Sequence, residues 1–123
     1  MLCPVVLRRD GALWDGENGA GLRRSRCAQT FVGTGVTVNS VLAGPAASEG
    51  ARAFVKEFAK RQGITAKEFE KQFFVSARPT SLLKRLETTQ EIGDIVALVA
   101  SAQANVINDA AVRAEGGVLT SIL

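Results

Sequence analysis

The stretch GTGVTVNSVLAGPAASEG, residues 33–50, decides how the rest of the chain is read. Its centre, GVTVNSVL (35–42), is rich in valine, and Asn39 is the one residue inside it that favours a turn. That texture suits a strand covered on both faces, as strands of parallel sheets are. AGPAASEG (43–50) then ends the strand, because Pro45 biases Gly44 away from helical backbone.

Downstream, the local signals agree with one another. ARAFVKEFAKR (51–61) sets Phe54, Val55, Phe58 and Ala59 on one helical face, and Gly63 stops the helix. TAKEFEKQFF restarts with Thr65 as cap and Glu68 three places on, a capping box, with Phe69 and Phe73 four apart on the apolar side. In ARPTSLLKRLE (77–87), Pro79 marks a helix start. Thr88 with Glu91 forms a second capping box. It opens the strongest helix, in which Ile92, Ile95, Val96 and Val99 follow helical spacing. NVIND reads as a loop, and AAVRAEGG as a short last strand closed by Gly116 and Gly117. The apolar tail VLTSIL must be buried or is an exposed liability.

Composition narrows the class. The chain has 123 residues, 46% hydrophobic and 22% charged, which fits one small packed domain. No apolar run reaches the length of a membrane span, and the opening MLCPVVLRRD is unlike a secretory signal. A cytoplasmic protein is therefore expected, with no membrane partner. There is no histidine, and Cys3 and Cys27 alone make no metal site; free thiols are expected, and a disulfide between the two stays open. Arg8, Arg9, Arg23, Arg24 and Arg26 cluster near the N-terminus, but a net charge of +3 and few aromatics argue against nucleic acid.

The order strand, turn, helices, strand implies part of a parallel sheet with helical crossover. A complete small helical protein is the alternative at this point. From about Gly35 onward the chain resembles the C-terminal part of a short-chain dehydrogenase/reductase. GVTVNSVLAGP resembles that family's sixth strand and the loop after it. ARPTSLLKRLETTQEIGDIVALVASAQANVINDAAVRAEGG resembles its late helix, last strand and closing turn, here Glu115-Gly116-Gly117. The resemblance implies an α/β fold, a C-terminal fragment of a doubly wound Rossmann-like parallel sheet. It divides the chain into an irregular leader unlike the family, 1–30, and a family-like part, 31–123.

The resemblance also implies NAD or NADP as the family's cofactor, with the loop after the sixth strand at the nicotinamide end. By position Ala43, Gly44, Pro45 and Ala46 are the cofactor-binding candidates; small residues let backbone approach a flat ring. Ala43 stands where the family commonly has proline, and Ala46 where it has threonine or valine. Residues 48–80 correspond to the substrate lid. Its Phe54, Phe58, Phe69, Phe73 and Phe74 either line an apolar pocket or pack helix on helix, and packing is the simpler reading. Arg78 and Arg85 either meet an anionic substrate or are solvated charge, and solvated charge is the simpler reading.

The family's chemistry uses a tyrosine with a lysine four residues later, and a glycine-rich fingerprint for the pyrophosphate. The chain has no tyrosine. GENGAG (16–21) follows no valine-rich strand. No catalytic residue and no metal ligand is therefore assigned, and the chain by itself is expected to bind no cofactor. RDGALWDGENGAG (9–21) stands where the family's active-site helix belongs. Codons can be chosen for it that, read one nucleotide later, give a peptide EM-x-HYGM-x-KT, with tyrosine and lysine at the family's spacing. A frame-shifted leader and an independent leader are the two readings. Two functional classes follow: an oxidoreductase fragment inactive as this chain, or a non-catalytic interaction fragment. The second would associate with copies of itself, or aggregate, through Ile92, Val96, Val99 and the C-terminal tail.

Overall fold

The computed structural model describes the backbone of residues 3–8, 13–15 and 20–120, and the side chains of residues 25–120. Its elements are β1 (Cys3–Arg8), β2 (Leu13–Asp15), α1 (Ala20–Thr30), β3 (Val38–Ala43), α2 (Glu49–Gln62), α3 (Ala66–Ser76), α4 (Thr89–Ala100), a 3-10 turn (Ala102–Ala104) and β4 (Ala111–Ala114). They fall into two compact units. One holds residues up to Ala43 together with Gln90–Ala114; the other holds Gly44–Thr89 and the residues from Glu115 on.

In the first unit the strand order is β2-β1-β3-β4. β3 and β4 are parallel, with Val41 opposite Val112, as the valine-rich run and the short last strand predict. Val41 and Val99 are buried together, and Ile95, Val96, Val112 and Ala114 pack against them. The helical spacing of α4 thus serves the sheet beside it. Asn39 is the polar exception. It is 1% exposed, and its amide donates to the Ile107 carbonyl at 2.8 Å while its oxygen accepts from the Ala110 N–H at 3.0 Å. A turn-favouring residue sits in a buried strand because its side chain satisfies the loop entering β4.

One expectation is corrected here, the helix start at Pro79, and the N-terminal segment adds strands to the sheet. In the leader, β1 runs antiparallel to β3 over Cys3–Arg8, and β2 antiparallel to β1. An uncovered edge of β3 would leave a row of backbone donors and acceptors unpaired, and the chain's own N-terminal segment satisfies them. Among the described strands, the β3–β4 pair is parallel, as expected, and the pairs that β1 makes are antiparallel. Residues 9–12 and 16–19, which include much of RDGALWDGENGAG, lie outside the described residues. Pro79, by contrast with the sequence expectation, starts no helix. Residues 77–88 run as turns, Lys84 has a positive φ of 53°, and the Leu82 and Leu83 N–H groups donate to the Gly116 carbonyl at 2.8 and 3.2 Å.

The second unit pairs α2 with α3. Ser48 caps α2 by accepting from the Ala51 N–H at 3.2 Å, and Gly63 closes it in the left-handed region at φ 67°. The expected capping box forms at α3. The Glu68 N–H donates to Thr65 Oγ1 at 3.2 Å, and the Thr65 hydroxyl and N–H donate to Glu68 Oε2 at 2.7 and 2.8 Å. The hydroxyl first, and the N–H second, hold the Glu68 carboxyl below its ordinary pKa. A depressed carboxyl pKa stabilises the fold above the unfolded-state value, and that contribution is lost as pH falls through the lower folded value. Thr65→Ala is expected to cost about 1 kcal/mol at neutral pH, the usual cost of an N-cap. The difference from wild type should shrink below the ordinary glutamate range. Urea melts of both proteins at neutral and acid pH check this.

Candidate functional site

The chain passes from one unit to the other between Ala43 and Gly44. Of the four cofactor-binding candidates, Ala43 ends β3 opposite Ala114, and Gly44, Pro45 and Ala46 belong to the second unit. Those three are held by a short parallel bridge. The Glu87 N–H donates to the Pro45 carbonyl at 3.1 Å, and the Ala47 N–H donates to the Glu87 carbonyl at 2.7 Å. The Ser48 N–H donates to the Ala46 carbonyl at 2.8 Å. Much of the loop's backbone hydrogen-bonding capacity is therefore used internally.

Gly44 is glycine for a steric reason. A Cβ built there would lie 2.7 Å from the Glu115 Cα and 2.8 Å from both Glu87 carboxylate oxygens. The turn after β3 thus lies against the closing Glu115-Gly116-Gly117 turn. Both carboxylates are buried, Glu87 at 4% and Glu115 at 3% exposed. Glu115 Oε2 accepts from the Leu119 N–H at 2.8 Å, and the Thr80 hydroxyl donates to the Val118 carbonyl at 2.6 Å. The start of the apolar tail is tied down in this way, while Ser121–Leu123 lie outside the described residues. Sequence reasoning missed both glutamates, since acidic residues are normally solvated. The only signal was their place: one ends the 77–87 segment and the other opens the glycine pair.

The same unit holds the helical pair α2 and α3. Phe54, Phe58 and Phe69 cluster, with ring centroids 4.2 Å apart for Phe54–Phe58 and 6.0 Å for Phe58–Phe69. Phe73 meets Phe74 edge to face at 5.2 Å. The two readings of these rings separate: Phe74 is buried packing, whereas Phe54, Phe69 and Phe73 line a cavity of about 140 Å³ together with Pro45 and Leu86. Arg78 and Arg85 each donate to a neighbouring backbone carbonyl, of Ala77 and Leu86 respectively. Among the described residues no group of histidine, cysteine and acidic side chains could hold a metal ion. No helix among them is long and apolar enough to cross a membrane.

A small-residue turn with its backbone fixed can meet one flat face of a nicotinamide, and an apolar cavity beside it can take part of a substrate. The chain has no tyrosine to move a proton beside it.

No family model matches the chain. Over 95 residues, 77% of its length, it is 39% identical to the uncharacterized oxidoreductase YvrD of Bacillus subtilis, and 36% identical to the uncharacterized oxidoreductase YvaG of the same organism. The chain spans about a third of these curated relatives, 36% of each. Among solved structures, L-sorbose reductase of Gluconobacter frateurii, complexed with NADPH and L-sorbose, matches with a TM-score of 0.72 and 19% identity over 83% of this chain and 38% of the reductase. A short-chain dehydrogenase family protein of Francisella tularensis matches with a TM-score of 0.65 and 21% identity over 80% of this chain and 39% of that protein. The resemblance read from the residues is borne out: over about four-fifths of its length the chain has the fold of the C-terminal portion of a short-chain dehydrogenase/reductase.

Proposed function

We propose that this chain is the cofactor-loop and lid portion of an NAD(P)-dependent short-chain oxidoreductase, and that it is non-catalytic by itself. Gly44, Pro45 and Ala46 would face the nicotinamide, and α2 with α3 would cover the substrate. One observation carries the reading. The Gly44 turn follows a strand of the parallel pair at its carboxyl end, where folds of this kind bind dinucleotide, and it is packed too closely on Glu115 to admit a side chain. The relatives in Bacillus subtilis are named as oxidoreductases, which supports the same chemistry.

The proposed inactivity rests on what the sequence lacks. Without a tyrosine the proton transfer that accompanies hydride transfer has no group of suitable pKa and reach. A few contacts at the nicotinamide do not offset the entropy of holding a free dinucleotide. Calorimetric titration of the 123-residue chain with NADH and with NADPH is expected to show no saturable binding. Micromolar, stoichiometric binding would overturn the claim. A chimera that joins the upstream portion of YvrD to residues from Gly35 on is expected to bind nucleotide and to oxidise it with a carbonyl substrate.

A specific observation favours a second reading, association through the late helix and last strand. β4 lies at the end of the described sheet, and Leu98 on α4 is 53% exposed. Val96 and Val99, named from sequence as contacts, are instead packed into the core with Val41, so Leu98 replaces them as the candidate. Sedimentation of wild type and Leu98→Lys tests it: association should weaken at least tenfold in the variant.

A further inference from the structure

Two cavities of the second unit share a wall. The first, of about 140 Å³, is lined by apolar side chains except for Glu70. It is close to the size of the cavity of about 150 Å³, lined by aliphatic and aromatic side chains, that stays dry and takes benzene in another protein. The second is an open cleft of about 420 Å³ whose lining includes Arg52, Lys56 and Lys67. Val55, Glu70 and Leu86 line both. Among the described residues, Glu70 is the only carboxylate lining the cleft, and its Oε1 already accepts from the Leu86 N–H at 2.8 Å. The Arg52 Nε–H donates to the Ala47 carbonyl at 2.9 Å, which anchors that guanidinium beside the cleft. An apolar chamber and a cationic cleft thus adjoin at Val55, Glu70 and Leu86.

We propose that these adjoining cavities bind a small aromatic or alkyl compound carrying an anionic group, its apolar body among the phenylalanines and its anion toward Arg52, Lys56 and Lys67. The proposal deepens the oxidoreductase reading, on which it rests for the word substrate. The binding itself needs no nucleotide. Apolar burial supplies the affinity, and the cations supply the preference for an anion over a neutral compound of the same shape.

The probe is 3-phenylpropionate, compared with neutral 3-phenylpropan-1-ol and with inorganic phosphate, by NMR titration of the isotope-labelled chain. The acid is expected to saturate, to shift the amides of Ala51, Phe54, Phe69 and Phe73, and to bind at least tenfold tighter than the alcohol. Phosphate alone is expected not to saturate. The double variant Lys56→Gln/Lys67→Gln, on two exposed positions, should bring the acid close to the alcohol. Ala51→Leu fills the chamber and should weaken both at least tenfold. Should that variant fail to fold, the lysine variant still decides the charge preference. Failure of the acid to saturate, equal or tighter binding of the alcohol, or an undiminished preference in the lysine variant overturns the proposal. Binding of the acid with an inactive YvrD chimera would instead count against the oxidoreductase reading. An active chimera whose lid ignores the acid would count against this inference alone.

Discussion

Gly44→Ala is expected to destabilise the protein by about 3 kcal/mol, the upper part of the usual range for overpacking a tight site. Its φ lies outside the left-handed region, so conformational strain is not the cause. The cost is steric. The new methyl group would stand 2.7 Å from the Glu115 Cα, a backbone atom that can move only with its turn. It would also stand 2.8 Å from both oxygens of Glu87, a residue that is buried and bridged to Pro45 and Ala47 through its backbone. Two other glycines provide the control. Gly50 and Gly93 lie within α2 and α4, and a Cβ at either meets nothing within 4 Å. Gly93→Ala should therefore raise stability by about 0.5–1 kcal/mol, the helix-propensity gain. Opposite signs for the same chemical change, read from urea melts, would establish that close packing fixes Gly44. A Gly44→Ala protein as stable as wild type would show that the two turns are not in contact.

Much of the fold was legible because buried strands and amphipathic helices leave periodic marks. The valine run before Gly44 is a buried strand, and Ile95, Val96 and Val99 pack on it, because both patterns reflect faces that exclude water. Thr65 and Glu68 were readable because a capping box is purely local. Pro79 misled for the complementary reason. Proline permits a helix start without requiring one, and the N–H groups of Leu82 and Leu83 find their acceptor at Gly116, more than thirty residues away. The pairing of β1 with β3 is non-local in the same way: nothing within CPVVLR says which edge it covers. At the candidate site, Gly44 and Pro45 announced a turn, but the reason for the glycine lay in Glu87 and Glu115. Local sequence treats such residues as solvated, and only their burial together at this turn shows otherwise.

Phe74→Ala is expected to cost about 3–5 kcal/mol, the usual penalty for deleting a buried aromatic ring. Phe74 is 1% exposed, the largest of the fully buried side chains among the described residues. Truncation removes its transfer free energy, leaves a void that rigid neighbours fill only in part, and breaks the edge-to-face contact with Phe73 at 5.2 Å. A small domain has only about 5–15 kcal/mol of stability, so a large share would go with this one ring. Phe54 offers the contrast within the same aromatic group. It is 48% exposed and lines the 140 Å³ cavity, so Phe54→Ala removes less buried surface and enlarges a space that already exists. Its cost should be well under half that of Phe74→Ala. The binding of 3-phenylpropionate should respond in the opposite order, strongly to loss of Phe54 and, in whatever fraction stays folded, weakly to loss of Phe74. Denaturant melts paired with probe titration on the two variants separate the roles. Equal losses of stability would mean that both rings are core packing and that the cavity wall is not a binding surface.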